Sequence, residues 1–369
     1  MTFFLTIAKL DQNRENNFDF IRFVAAAMVI FSHTYAVLKD NSSEPLSGAT
    51  GFITFGSLAV EIFFIVSGYL VCKSLLMRSS PLAFVEARIL RVFPALIICC
   101  ALCTLLLGPI LTRLPLGEYF GAAQTWHYLF DNATLLKLQW FLPGVFEHNP
   151  LPGVVNGSLW TLPTEFKMYL VLLAAGLIVL PFPSQRERVL LVMVAGCFVF
   201  AHITYPGRLV SHVSNDALPL ILMFLAGNLL YLLRRAIPVS IWILAVAWGL
   251  AYAARQTAFF PVFYYMLLPY SIIVIALHPR LNLHAFGKYG DFSYGLYLYG
   301  FPVKQTIVAI NAQWSSLQLF TLAFPLTLLL AVASWHLVEA RAMRFKGWAS
   351  GRLTCWMVRI SRNVTGRFA

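Results

Sequence analysis

Charge is what this sequence has least of. Only 11% of its 369 residues are Asp, Glu, Lys or Arg, whereas 59% are hydrophobic. Soluble globular chains carry about 25% charged residues, because their surface faces water. So small a charged fraction excludes a soluble globular protein, a disordered chain and a nucleic-acid-binding domain. It predicts a membrane protein in which several segments cross the bilayer.

The six cysteines also lack any spacing that would indicate a metal site or a disulfide framework. Five lie in apolar runs, where disulfides are not expected, and one, Cys355, lies in the basic tail. We therefore expect no metal site. We expect no signal peptide at the N-terminus either, because its short apolar patch precedes the charges instead of following them.

What the sequence does contain is ten apolar runs of about 20 residues, the length that an α-helix needs to cross a bilayer. They lie near Phe20–Leu38, Thr54–Met77, Ile89–Thr112, Leu159–Leu180, Arg188–Tyr205, Asp216–Leu233, Val239–Arg255, Phe259–Leu277, Gly290–Ile310 and Leu317–Glu339. The sequence therefore predicts an all-α polytopic membrane protein with about ten transmembrane helices. This transmembrane domain occupies residues 1–345, and a basic tail follows at 346–369.

The positive charges predict how the helices are oriented. With the N-terminus in the cytoplasm, 20 of the 27 Lys and Arg residues fall in cytoplasmic segments and 5 in outside segments, while Lys167 and Lys304 lie within spans. This bias follows the positive-inside rule, so both termini are expected in the cytoplasm. The tail is expected to bind the lipid surface. The long outside segment 113–158 has the size of a lid or re-entrant segment, although an interfacial aromatic belt would have the same composition.

Ionisable residues inside predicted spans are costly and often functional. Arg22 and His33 are eleven residues apart in the first helix, on one face and about 16 Å apart along the axis. Glu61 in the second helix and Glu165 in the fourth lie near the depth of His33, as does Lys304, which is expected to neutralise a carboxylate. A carboxylate that orients an imidazole predicts a general base acting on a hydroxyl. An interface arginine and a helix-packing histidine would give the same pattern in the first helix.

A second set of charges lies toward the cytoplasm. Arg88 and Arg91 are one turn apart where the third helix begins. Two guanidinium groups on one helical face suit a phosphate-rich ligand, although simple positive-inside topology also accounts for them. Glu339 ends the last predicted helix beside Arg341 and is expected to form a structural ion pair there.

Six segments together resemble the acyltransferase 3 family of bacterial membrane O-acyltransferases. In order along the chain they are FDFIRFVAAAMVIFSH, GSLAVEIFFIVSGYL, RILRVFP, SLWTLPTEFKMY, FSYGLYLYGFPV and VEARAMRF. The first resembles the family signature in which Arg or Lys precedes His by eleven positions, here Arg22 and His33. The chain departs from the family pattern at Ala59, where Gly is usual, at Gly300, where His is common, and at Ala340-Arg341, which replaces a basic-Pro pair.

The resemblance implies a ten-helix enzyme of the bacterial inner membrane. It also implies acyl-CoA as the donor, most often acetyl-CoA, and a hydroxyl of a saccharide or glycolipid as the acceptor. Lipopolysaccharide, exopolysaccharide, peptidoglycan and Nod-type oligosaccharides are the acceptors that family members modify. The expected partners are thus the donor, the acceptor and the lipid bilayer, with no nucleic acid and no metal.

These inferences combine into one mechanism. The arginines would hold the phosphates of CoA, and the pantetheine arm, roughly as long as the rise of about 16 Å between Arg22 and His33, would bring the thioester to His33. Direct transfer and an acyl-histidine intermediate are both compatible with this set. The predicted residues are His33, Glu61 and Glu165 for catalysis, Arg22, Arg88 and Arg91 for the donor, and Trp160, Ser67 and Tyr169 for the substrate.

A transporter or flippase is the alternative function. The His and Glu residues at one depth would then relay protons or substrate across the membrane. No inverted repeat and no pair of broken helices is visible in the sequence, which weighs against this alternative.

Overall fold

The computed structural model describes residues 5–12, 16–78, 80–204, 217–257, 260–348 and 350–351. The regular structure of these residues is entirely helical, apart from two isolated backbone bridges. Ten main helices follow one another along the chain: α1 Phe18–Val37, α2 Phe55–Met77, α3 Pro81–Leu102, α4 Leu162–Ile178, α5 Arg186–Thr204, α6 Ala217–Leu232, α7 Ile241–Ala253, α8 Phe260–Leu277, α9 Ser293–Ile310 and α10 Ser316–Ser334.

Each of the ten predicted apolar runs coincides with one of these helices. Among the described residues, five helical segments are long and apolar enough to cross a bilayer: Phe18–Val37, Phe55–Met77, Pro81–Leu111, Gly157–Ile178 and Ser316–Met343. The all-α class is confirmed, and the number of crossings stays a prediction. The predicted ends at Tyr205, Asp216 and Phe259, and the tail beyond residue 351, lie outside the described residues.

Helix α2 lies at the centre and packs against α1, α3, α4, α6 and α8. Its closest neighbour is α6, because glycines on both helices remove the side chains that would separate the backbones. A Cβ on Gly68 would lie 2.1 Å from the carbonyl oxygen of Phe224, and one on Gly227 would lie 2.3 Å from that of Ile65. Small residues allow such close helix packing inside membranes. This contact sets which face of α2 meets α6, and therefore which α2 side chains face the other helices.

The Gly68→Ala variant is therefore expected to lose folded protein. The added methyl group meets backbone atoms, which cannot rotate away, so overpacking should cost about 3 kcal/mol or more. In Gly196→Ala, on α5, the added Cβ meets nothing within 4 Å. That control should be neutral or more stable by up to about 1 kcal/mol. Fluorescence-detected size exclusion of the two variants in detergent, after a temperature ramp, would compare them. Equal stability would contradict the packing argument.

The segment 113–158, which is predicted to lie outside, is folded onto the helices. It contains the helices Leu116–Gly121 and Ala123–Thr134, followed by a loop that is fastened to α9. Asn149 Nδ2 donates to both the backbone and the side-chain oxygen of Gln305, and Gln305 Nε2 donates to the carbonyl of Val154. Asn156 Nδ2 donates to the carbonyl of Leu298. The segment thus forms an anchored cap over one end of α9, close to His33.

Candidate active site

A cavity of about 350 Å³ opens between α1, α2, α3, α4 and α9. This is within the range of small-molecule sites. One end is cationic, with Arg22, Arg88, Arg91 and Lys346 in its lining. The other end is mostly apolar, with Val60, Phe63, Leu162 and Tyr297 among its residues. A cavity with this division suits a ligand that has an anionic head and a less polar arm.

Two of the arginines are held by carboxylates. Arg91 Nη1 lies 3.2 Å from Glu339 Oε2, and Arg91 Nη2 lies 2.5 Å from Asp291 Oδ2. Arg22 Nη2 lies 2.8 Å from the same Asp291 oxygen and also pairs with Asp19. The predicted ion pair of Glu339 is confirmed, but its partner is Arg91 and not the neighbouring Arg341. These contacts bring together residues of α1, α3 and the end of the α10 segment at the cationic end of the cavity.

Arg88 differs from its neighbour one turn away. In the part of the chain that the structure describes, no carboxylate pairs with Arg88, and its Nε is buried without a hydrogen-bond partner. The guanidinium lies over the ring of Tyr169 at 5.8 Å and that of Phe84 at 6.0 Å. Arg88 as a whole is only partly buried and lines the cavity. An anionic ligand in the cavity would supply the ion-pair partner that the described residues do not provide.

Lys346 adds a fourth cation to this end. Burial, together with the charges of Arg88, Arg91 and Arg78, lowers the pKa of Lys346 to about 8. An anion bound in the cavity would oppose the effect of the neighbouring cations and favour the ammonium form of Lys346. Sequence reasoning had assigned Lys346 to the basic tail, because it lies beyond the last apolar run.

Glu165 lines the cavity, and two of the predicted substrate-binding residues surround it. Ser67 Oγ donates to Glu165 Oε1 at 2.5 Å, and the Tyr169 hydroxyl donates to the same oxygen. Ser67 and Tyr169 therefore both donate their hydroxyl protons to Glu165. Trp160, the third predicted substrate residue, is partly buried and is not part of the cavity lining.

His33 lies beyond the apolar end of the cavity. Its Nδ1 is 3.5 Å from Ser158 Oγ, and its ring packs edge-on against Phe301 at 5.4 Å. Lys304 Nζ lies over the ring of Phe301, 5.8 Å from its centroid, and donates to the carbonyl of Ile30. The predicted pairing of Lys304 with a carboxylate is not among the ion pairs of the described residues.

A wall of hydrogen-bonded side chains separates His33 from the cavity. The Tyr297 hydroxyl donates to the carbonyl of Ser158 at 2.5 Å, so the Thr161 hydroxyl, 2.5 Å away, donates to Tyr297. Thr161 and Tyr297 line the cavity, whereas Ser158 also contacts the imidazole. Ser158 thus joins the cavity wall to His33. The sequence signal for Ser158 was its place in the SLWTLPTE motif, from which we had singled out Trp160 and Glu165.

The predicted acid–base residues do not share one environment. Glu61 is 1% exposed and accepts a hydrogen bond from the Tyr264 hydroxyl at 2.6 Å, toward α8. Glu165 faces the cavity, and His33 lies behind its wall. Among the described residues, no hydrogen bond joins His33 to either carboxylate. The structure brings together Arg22, Arg88, Arg91, Ser67, Glu165 and Tyr169 around one cavity and leaves His33, Glu61 and Trp160 outside its lining.

Comparison with known proteins identifies the family. The family model described as "Acyltransferase domain" matches residues 15–336. The chain belongs to the acyltransferase 3 family. An O-acetyl transferase of Shigella phage Sf6 is 31% identical over 347 residues, which cover 89% of this chain and 96% of that protein. Nodulation protein 10 of Rhizobium leguminosarum bv. viciae is 30% identical over 361 residues, covering 90% and 94%. No solved structure matches the chain.

Membership of the acyltransferase 3 family makes the chain an O-acyltransferase with several membrane-crossing helices. The matched range, 15–336, contains every predicted site residue. It excludes Lys346 and Glu339, which belong to the cationic end of the cavity. An enzyme that transfers an acyl group needs a donor site and an acceptor site. The cavity and the region around His33 are two separate places where these could lie.

Proposed function

We propose that this protein is an O-acetyltransferase of the bacterial inner membrane, which moves an acyl group from acyl-CoA to a hydroxyl of an exported or cell-surface saccharide or glycolipid. The observation that carries the proposal is the cavity with four cations at one end and an apolar arm at the other. A CoA thioester has this polarity, because its phosphates are anionic and its acyl group is apolar. No metal takes part in the proposed reaction.

The cationic end fits the phosphates of the donor. Arg88 lines the cavity and makes no hydrogen bond to the described residues, so its terminal N–H groups can donate to a phosphate oxygen. Arg22 uses only its Nη2 for carboxylates among the described residues, which leaves its Nη1 for the same purpose. Arg91 donates two of its N–H groups to the carboxylates of Asp291 and Glu339, and its remaining N–H groups are available to the ligand. By the charge distribution of the loops this end faces the cytoplasm, where acyl-CoA is found.

The chemistry we propose is direct transfer with His33 as general base. The acceptor oxygen attacks the thioester carbonyl carbon and gives its proton to the imidazole. The carbon–sulfur bond then breaks, and the CoA sulfur leaves and takes the proton from the imidazolium. His33 is partly exposed although it is absent from the cavity lining. We place the acceptor on the cap side of His33 and the thioester in the cavity, so the hydrogen bonds among Ser158, Tyr297 and Thr161 that separate them must open before the acceptor oxygen attacks.

Topology completes the proposal. All ten helices α1 to α10 would cross the membrane, with both termini in the cytoplasm. The cap formed by residues 113–158 would then lie outside, next to the acceptor.

The proposal is tested by label transfer. Membranes that contain the protein are expected to move radiolabel from acetyl-CoA into the saccharide or lipid-linked saccharide fraction, as base-labile ester. Membranes with an empty vector should not, and unlabelled CoA should compete with the reaction. If acetyl-CoA and a panel of longer acyl-CoA donors leave every fraction unlabelled, although the protein is folded in the membrane, the donor assignment is wrong.

A further inference from the structure

One carboxylate at the cationic end joins residues of two different helices. Asp291 precedes α9 and is 9% exposed. Its Oδ2 lies 2.8 Å from Arg22 Nη2 on α1 and 2.5 Å from Arg91 Nη2 on α3. Its Oδ1 accepts hydrogen bonds from the backbone N–H and the hydroxyl of Ser293. Both of its oxygens are thus occupied, and the carboxylate is fixed to the start of α9.

The shared oxygen sets the distance between the two arginines. Because both Nη2 atoms touch Asp291 Oδ2, they lie no more than about 5 Å apart. Two guanidinium groups this close repel each other unless an anion lies between them. Asp291 lies against both guanidinium groups and offsets their mutual repulsion, so that Arg22 and Arg91 stay close together in the cavity lining.

We propose that Asp291 is a positioning residue for the donor: it holds Arg22 and Arg91 side by side, so that these two arginines and Arg88 present their N–H groups to the same phosphate-bearing part of the ligand. This inference rests on the proposed function, in which that ligand is acyl-CoA. Asp291 itself does not touch the reacting atoms. Its contribution is to make three separate cations into one preorganised anion site.

A simpler role for Asp291 predicts the opposite change in CoA affinity when Asp291 is replaced. If Asp291 only neutralised excess positive charge, its removal would leave a more cationic cavity, and CoA would bind more tightly. If Asp291 positions the arginines, its removal lets them separate, and CoA binds more weakly. The Asp291→Asn variant distinguishes the two roles, because the amide keeps the shape of the side chain and removes the charge that attracts both guanidinium groups.

Asp11 offers a matched control. It is also 9% exposed and lies 2.7 Å from a cation, Lys73 Nζ, but it is absent from the cavity lining. The Asp11→Asn variant therefore removes an equally buried, ion-paired aspartate from the same protein. Any effect that comes only from losing a buried ion pair should appear in both variants.

The experiment measures CoA binding to the purified, full-length protein in nanodiscs by calorimetry, together with steady-state acetyl transfer in membranes. For Asp291→Asn we expect the Kd for CoA and the KM for acetyl-CoA to rise at least 10-fold, with kcat changed less than 3-fold. Asp291→Glu should recover part of the affinity, because a carboxylate is restored. Asp11→Asn should change the Kd and the KM less than 2-fold.

The outcomes separate the inference from the function beneath it. If the wild-type protein binds CoA, and Asp291→Asn binds it equally well or more tightly, the positioning role is overturned while the donor assignment stands. If Asp11→Asn weakens binding as much as Asp291→Asn does, the effect is structural and the inference is also overturned. If the wild-type protein neither binds CoA nor transfers label from any acyl-CoA, the proposed function fails, and the inference fails with it.

Discussion

Replacing His33 with glutamine is expected to slow acyl transfer by about 10²- to 10⁴-fold, the usual contribution of a general base. Glutamine can still form a hydrogen bond with Ser158, which lies 3.5 Å from His33 Nδ1, and it still packs against Phe301. It cannot accept the proton of the acceptor hydroxyl near neutral pH. The affinity for CoA should change little, because His33 does not line the cavity. Initial rates and CoA binding, measured on the same preparation, check both statements.

His127→Gln is the control for the His33 variant. His127 lies on the helix Ala123–Thr134 of the cap, 63% of its side chain is exposed, and it contacts only the neighbouring Asp131 in the described structure. Its replacement should leave both rate and affinity as they were. Substantial activity in His33→Gln would mean that His33 is a packing residue that holds Ser158. The base would then have to be sought among the residues that face the cavity, of which Glu165 is the first.

The helices could be predicted because the bilayer leaves the backbone little choice. Every spanning backbone must satisfy its own hydrogen bonds, so an apolar run of about 20 residues becomes a helix whatever its neighbours are. For this reason the ten runs coincide with α1 to α10. The same argument found the charged residues, because Arg22, Arg88, Arg91 and Glu165 stand out in apolar surroundings and do meet in one cavity.

The depth of a residue along a helix does not predict the direction in which its side chain points around the helix axis. His33, Glu61 and Glu165 were expected to converge because they lie at one level. Glu61 instead faces Tyr264 on α8, whereas Glu165 faces the cavity with Ser67 and Tyr169. Which face of α2 meets which neighbour is decided by the contact of Gly68 and Gly227 with the opposite backbones, and that contact depends on the packing of two distant segments.

Residues outside the apolar runs were missed for a different reason. Lys346 acts on the cavity only because the chain after α10 folds back toward α3, and Ser158 lies in a short 3₁₀ turn, Gly157–Thr161, before α4. Asp291 lay within the ninth predicted run, but its two arginine partners are 269 and 200 positions away in the sequence. Spacing within one motif cannot reveal such partners.

The two arginines of the RILRVFP motif are expected to respond in opposite ways to the same substitution. Arg91→Met should destabilise the protein by about 3–5 kcal/mol, because it leaves the buried Glu339 without its cation and Asp291 with Arg22 alone. Arg88→Met should instead raise the stability of the ligand-free protein by up to about 1 kcal/mol, since Arg88 is partly exposed, lies among other cations and has no ion-pair partner to lose. The loss of its contacts with the rings of Tyr169 and Phe84 limits this gain.

Both variants should nevertheless bind CoA more weakly than the wild-type protein. Removing one partner of a buried charge pair costs about 2–5 kcal/mol, so the affinity for CoA should fall at least 30-fold in Arg88→Met. Thermal unfolding of nanodisc-embedded protein, with and without CoA, measures both quantities. CoA should raise the unfolding temperature of the wild-type protein, whereas Arg88→Met should start higher and gain nothing. A lower unfolding temperature for ligand-free Arg88→Met would show that Arg88 supports the fold. That result would contradict the idea that Arg88 is left without an ion-pair partner in order to bind an anion, at a cost in stability.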